Sequence, residues 1–153
     1  MVAVSAIALT CGGCALSTPY AGEGPHNMQV RTTTDAGEPL AATRAWLAVQ
    51  RVTSDCRGEV EGEIYLRGPV DSLHLPVGGL SNLVFKFRTS SLLSQSSGMT
   101  SYSTLIRPRE GHAYEATVDY RSGLFTIDLI EIAPQRASPR KLLRRDIANC
   151  ATD

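Results

Sequence analysis

Three histidines are the side chains of this sequence best suited to catalysis or metal binding, because imidazole titrates near neutral pH. His26, His74 and His112 have no paired metal-ligand spacing, and no acidic cluster resembles an EF-hand calcium loop. No serine lies in a Gly-x-Ser-x-Gly motif, although a Ser-His-acid site can assemble from distant residues. We therefore predict no catalytic residue, metal ion or cofactor. An exported enzyme or small-ligand-binding protein that uses His112 and His74 is the alternative hypothesis.

A second candidate for chemistry is the Cys-x-x-Cys pair formed by Cys11 and Cys14. A redox pair of this spacing opens a helix after a strand, and a zinc site needs two further ligands nearby. The surrounding sequence has neither context. It has instead the pattern of a leader, because an apolar run at Val2–Leu9 is followed by small residues at 10–15.

These first residues resemble the leader of a bacterial lipoprotein, in which a cysteine after small residues is lipidated and becomes the mature N-terminus. The resemblance implies lipidation of Cys14, which follows Gly12 and Gly13 and precedes Ala15. The leucine that is usual three residues upstream is replaced by Cys11. The resemblance also implies a location in the bacterial cell envelope, lipid-anchored to the outer membrane and facing the periplasm.

Two features limit what this leader can do. Its apolar run is less than half of the roughly 20 residues that a membrane-spanning helix needs, so we predict no transmembrane anchor there. No lysine or arginine occurs before Arg31, whereas a secretory leader begins with basic residues. We therefore expect the natural start to lie upstream of Met1.

Two cysteines, Cys56 and Cys150, remain once the leader is set aside. The bacterial envelope is oxidising, and two cysteines in an exported domain usually form one disulfide. We predict this pairing on the condition of export, since in a cytosolic protein the two residues would be thiols. The bridge would tie an early loop to the C-terminal end of the domain.

The clearest period-two alternation lies at residues 59–67 and predicts a strand with one buried and one solvated face. The predicted buried face holds Val60, Gly62, Ile64 and Leu66. The other face holds Glu59, Glu61, Glu63 and Tyr65. We interpret this side first as a solvated sheet face that discourages edge pairing. The alternative is that the same four residues form a binding surface that could attract a cation or a basic partner.

Alternation and turn residues predict the other elements. Further strands are expected at 45–52, 73–75, 83–88 and 102–107, and a hairpin at 112–120 and 124–132. The polar residues 89–101 are predicted to form a loop with a role in binding. Ser138-Pro139 predicts a short C-terminal helix, and an edge strand tethered by the disulfide is the alternative.

About seven short strands at this spacing predict a mainly β fold, either an antiparallel β-sandwich or a small barrel. We divide the chain into a leader (1–14), a polar tether (15–41) with a short strand at Met28–Thr33, and a β domain (42–153).

The charge pattern bears on the partners. Fifteen basic and fifteen acidic residues give a formal net charge of zero, which indicates no nucleic-acid partner. We interpret the basic C-terminal cluster as solvated surface; it comprises Arg136, Arg140, Lys141, Arg144 and Arg145. These patterns together predict a small envelope lipoprotein, held to the membrane by its lipid. Its non-enzymatic β domain would bind or position another envelope component, an envelope protein of unknown identity.

Overall fold

Nine strands form two sheets that pack face to face in the computed structural model, which describes residues 18–35, 37, 41–92, 95, 97–121 and 123–152. The strands are β1 (Met28–Asp35), β2 (Ala41–Val52), β3 (Gly58–Leu66), β4 (Val70–Leu73), β5 (Leu80–Ser91), β6 (Ser97–Ile106), β7 (Ala113–Arg121), β8 (Leu124–Ile132) and β9 (Arg140–Leu142). A 3₁₀ helix follows at Ile147–Thr152. The mainly β prediction is confirmed, and the described residues form a sandwich instead of a closed barrel.

One sheet has the strand order β3-β2-β5-β6 and the other β4-β1-β7-β8-β9. Neighbouring strands are antiparallel except β1 and β7, which are parallel. Among the described residues, no helix is long and apolar enough to cross a membrane.

The core lies between the two sheets and is filled by alternate side chains of the central strands, as the sequence pattern predicts. Phe85 and Phe87 of β5 are buried, and so are Tyr114 and Tyr120 of β7. The ring of Phe87 stacks on Tyr120 and Phe125, with centroids 5.1 and 5.6 Å apart. These contacts join the sheets, because Phe87 belongs to the first and both partner rings to the second. The predicted β7–β8 hairpin is confirmed.

Residues 28–35, which we assigned to a polar tether with a short strand, instead form a central strand of the second sheet. β1 lies between β4 and β7, and its Met28 and Val30 are buried. β1 therefore belongs to the second sheet although it precedes the domain boundary predicted at residue 42. The strand is polar outside these two residues because its other side chains point away from the core or lie towards its C-terminal end.

The predicted loop at 89–101 is mostly strand. β5 continues to Ser91 and β6 begins at Ser97, with Thr89 opposite Gly98 in the ladder. Polar side chains are tolerated here because they find partners: the Thr89 hydroxyl lies 2.8 Å from the Tyr120 hydroxyl and 3.1 Å from that of Thr43. Residues 93, 94 and 96, between these two strands, lie outside the described residues.

The C-terminal segment combines the two predicted alternatives, since an edge strand, β9, precedes a 3₁₀ helix. Between them the chain crosses to the other sheet, where the Leu105 N–H donates to the Arg145 carbonyl over 2.9 Å. Cys150 then forms a disulfide with Cys56 in the β2–β3 loop, with Cα atoms 5.8 Å apart. The segment from β9 to the 3₁₀ helix, residues 140–152, therefore crosses one side of the sandwich, and we call it the strap.

Candidate functional site

The residues predicted as a binding surface lie on β3, but a bulge divides them. Gly62 pairs with Val49 of β2, whereas Val60 pairs with the next residue, Gln50, so Glu61 is an additional residue in the ladder. One extra residue exchanges the two faces of the strand beyond it. The prediction of one glutamate face is therefore wrong for Glu59, and Val60 is 62% exposed where it was predicted to be buried.

Two of the three glutamates on β3 form ion pairs within the same sheet. Glu59 forms an ion pair with Arg51 at 2.6 Å, and Glu63 forms one with Lys86. The Tyr65 ring packs against Trp46, with centroids 5.4 Å apart, and the Arg67 guanidinium lies over it at 5.2 Å. These side chains already have partners within the sheet, which favours the interpretation of this side of β3 as a solvated sheet face.

A charged network lies instead at one end of the second sheet. Tyr114, Glu131 and Arg140 stand side by side on β7, β8 and β9, because Glu131 is the ladder partner of both other residues. Glu131 follows Leu129 by two positions and so points to the same, core-facing side. Only 5% of its side chain is exposed.

Three side chains hold the Glu131 carboxylate. Its Oε1 lies 2.8 Å from His112 Nδ1 and accepts a longer bond, 3.4 Å, from the Tyr114 hydroxyl. Its Oε2 lies 2.5 Å from Arg140 Nη2. The Tyr114 oxygen itself accepts a 2.9 Å bond from the Arg109 N–H, which fixes the turn before β7.

The network favours an ionised glutamate. Burial alone would raise the pKa of Glu131, but hydrogen bonds from His112 and Arg140, with the charges of Arg140 and Arg109, outweigh it and lower the pKa below its ordinary value. Burial raises the pKa of Tyr114, as does the neighbouring Glu131 charge. Near neutral pH Glu131 therefore carries a charge and Tyr114 keeps its proton.

The network forms the wall of a cavity of about 440 Å³. Its lining consists of four arginines, one carboxylate, one phenol and two apolar side chains: Arg107, Arg109, Arg140, Arg145, Glu131, Tyr114, Ile106 and Leu142. We call it the arginine cavity. Guanidinium groups outnumber carboxylates among these lining residues by four to one. A concave site lined by guanidinium groups can bind anions through charge-assisted hydrogen bonds.

A second cavity, of about 420 Å³, lies next to the arginine cavity, since Arg109 lines both. All three histidines line it, which brings His26 and His74 to His112.

His74 Nδ1 lies 2.8 Å from the Pro25 carbonyl oxygen. Because a carbonyl oxygen only accepts hydrogen bonds, this nitrogen carries the proton. No serine is among the described lining residues, and no group of three His, Cys, Asp or Glu side chains in the described residues is placed to hold a metal ion.

The arginine cavity was not predicted from the sequence, although two signals for it exist. The alternation that places Leu129 on the core face continues to Glu131, and an acidic residue at a core position needs a buried cationic partner. Arg140 and Arg145 belong to the basic cluster that we interpreted as solvated surface. The sequence does not reveal how β9 pairs with β8, or that the chain after β9 meets β6. These two contacts bring the basic cluster to the turn at residues 107–109.

Two further points concern the predicted sites and known proteins. The predicted lipidation site, Cys14, lies outside the described residues. No protein-family model, curated protein sequence or solved structure matches this chain.

Proposed function

We propose that this protein is a non-enzymatic binding protein of the bacterial envelope, and that its arginine cavity binds a multivalent oxyanion carried by another envelope component. One observation carries the proposal. Four arginines from the β6–β7 turn and the C-terminal segment line a single cavity that contains one carboxylate.

The residue types suit this ligand class. Guanidinium groups are planar and present paired donors that match the oxygens of phosphate and carboxylate groups. Glu131 fixes Arg140, and the four guanidinium groups of the lining suit a ligand with more than one negative charge. Because the glutamate holds Arg140 before the ligand arrives, less side-chain entropy is lost on binding.

The envelope location is proposed from the leader and from the cysteine pair. The first residues resemble a lipoprotein leader, and a Cys56–Cys150 disulfide suits an oxidising compartment. Lipidation predicts that Cys14→Ser releases the protein from the membrane fraction, whereas Cys11→Ser leaves it attached. Membrane attachment that persists in Cys14→Ser would remove this part of the proposal without touching the cavity.

Anion binding is tested by calorimetric titration of the protein with pyrophosphate and with citrate. Arg109→Ala is the informative variant, because Arg140 also holds Glu131 and its loss would disturb the fold. One charge-assisted hydrogen bond contributes about 1.5–3 kcal/mol, so we expect at least about tenfold weaker binding. The matched control is Arg67→Ala, on the other sheet, which should bind as the wild type does. Equal affinities in both variants would overturn the proposal.

A further inference from the structure

The four sheet edges of the sandwich differ in how they are protected. The second sheet ends in short strands, β4 with four residues and β9 with three. The β3 edge of the first sheet is covered, because the Tyr20 N–H donates to the Glu63 carbonyl and the Glu63 N–H to the Thr18 carbonyl, over 3.0 and 2.9 Å. β6 is ten residues long, and among the described residues no strand pairs with its outer edge.

The orientation of the β6 backbone follows from one contact. The Leu105 N–H points outward, since it donates to Arg145 of the strap and not to β5. Alternate residues of an antiparallel strand direct their N–H and C=O groups to the same side. The outer edge therefore presents the backbone groups of Ser97, Met99, Ser101 and Ser103.

The strap covers this edge at Thr104 and Leu105, but from Ser97 to Ser103 the edge lacks the devices that usually prevent strand pairing. Charged side chains, proline and very short length protect exposed edges. Residues 97–106 include no charged residue and no proline, whereas β3 has three glutamates. The Met99 side chain is 79% exposed.

We propose that two copies of this chain pair antiparallel along β6, joining their four-stranded sheets into one. A strand without charge faces a copy of itself without repulsion, and a single open edge per molecule closes into a two-fold dimer instead of a fibre. With Thr100 on the two-fold axis, Ser97 lies opposite Ser103 and Met99 opposite Ser101 of the other copy. Tyr102 then lies opposite Gly98, where a Cβ atom would have no neighbour within 4 Å.

The test is the solution mass of the full chain with Cys14→Ser, so that no acyl chain contributes to association. Sedimentation should give twice the 16.4 kDa of one chain at high concentration. Ser101→Pro should give a monomer of unchanged thermal stability, because it removes an outward N–H that no β5 carbonyl accepts. Ser101→Ala, which keeps that N–H, should remain dimeric.

Hydrogen exchange gives a second measurement if Ser101→Pro fails to fold. In the dimer, the amides of Met99, Ser101 and Ser103 should become protected as protein concentration rises. A monomer at every concentration would overturn the proposal. A dimer that Ser101→Pro leaves intact, without protection at these amides, would place the interface elsewhere and would also overturn it.

Discussion

The arginine cavity and the glutamates of β3 use similar charged residues in opposite ways. On β3 the two ion pairs are more exposed than the cavity network: the side chains of Arg51 and Glu59 are 66% and 55% exposed, and those of Lys86 and Glu63 34% and 18%. In the cavity, one glutamate that is 5% exposed lies among four arginines. The first region pairs two of its glutamates on a sheet surface, whereas the second places four guanidinium groups around a space large enough for a ligand.

This difference shows that the density of charge along a sequence is a poor guide to a binding site. Three glutamates within five residues form the most conspicuous charge cluster of the chain, yet two of them pair with Arg51 and Lys86 of the same sheet. Glu131 belongs to no acidic cluster in the sequence. In the described residues, its carboxylate nevertheless contacts side chains from the start of β7 and from β9.

The largest expected effect comes from the disulfide, which anchors the strap that carries Arg140 and Arg145. Its loop spans 94 residues, for which the chain-entropy estimate is about 4–5 kcal/mol as an upper guide. The Cys56→Ser/Cys150→Ser variant should lose several kcal/mol of unfolding free energy in denaturant titrations, and a reducing agent should not destabilise it further. It should also lose anion binding while β3 keeps its amide protection. A variant as stable as the wild type would contradict the claim that the disulfide anchors the strap.

A smaller effect compares one glutamate from each region. Glu131→Gln leaves Arg140 and His112 without their anionic partner at a buried position and should cost about 2 kcal/mol of unfolding free energy. Glu63→Gln, in the pair with Lys86, should cost less than about 1 kcal/mol because that pair is partly solvated. Equal losses in chemical denaturation would contradict the distinction between the two regions.

The smallest effect is the acid dependence of the Glu131 contribution. The folded pKa of Glu131 is lower than its ordinary value of 4.5, so the folded state binds this proton less readily than the unfolded chain. The stability it contributes is therefore complete above about pH 4.5 and is lost as the pH falls through the folded pKa. The difference in unfolding free energy between wild type and Glu131→Gln should be constant from pH 7 to about 5 and shrink below that range. If the difference in unfolding free energy increased on acidification, the lowered pKa of Glu131 would be contradicted.

Much of the fold could be predicted from the sequence. Alternation identifies β5, β7 and β8, because in each strand apolar side chains recur at every second residue on the face that packs against the core. The alternation does not predict β1 as a central strand, because its place in the sheet depends on parallel pairing with β7, which lies far along the chain. The bulge at Glu61 has no local signal except Gly62, whose Cβ would lie 2.5 Å from the Tyr20 backbone.

The site could be predicted far less well. A cysteine pair is visible in a sequence because few partners compete for it, and Cys56 and Cys150 do meet in the structure. Charged residues offer many more combinations. The Glu131–Arg140 pair depends on the register of β8 with β9, and the position of Arg109 depends on the turn that precedes β7.

Anion binding in the arginine cavity is tested most directly by following the side-chain Nε–H signals of the arginines by NMR during a pyrophosphate titration. Binding in the cavity predicts saturable shifts at Arg107, Arg109, Arg140 and Arg145, with one common dissociation constant that weakens as salt is added. The signals of Arg51 and Arg67 beside the β3 glutamates should stay unchanged. Uniform, unsaturable shifts at all arginines, or shifts confined to Arg51 and Arg67, would contradict a binding site in the cavity.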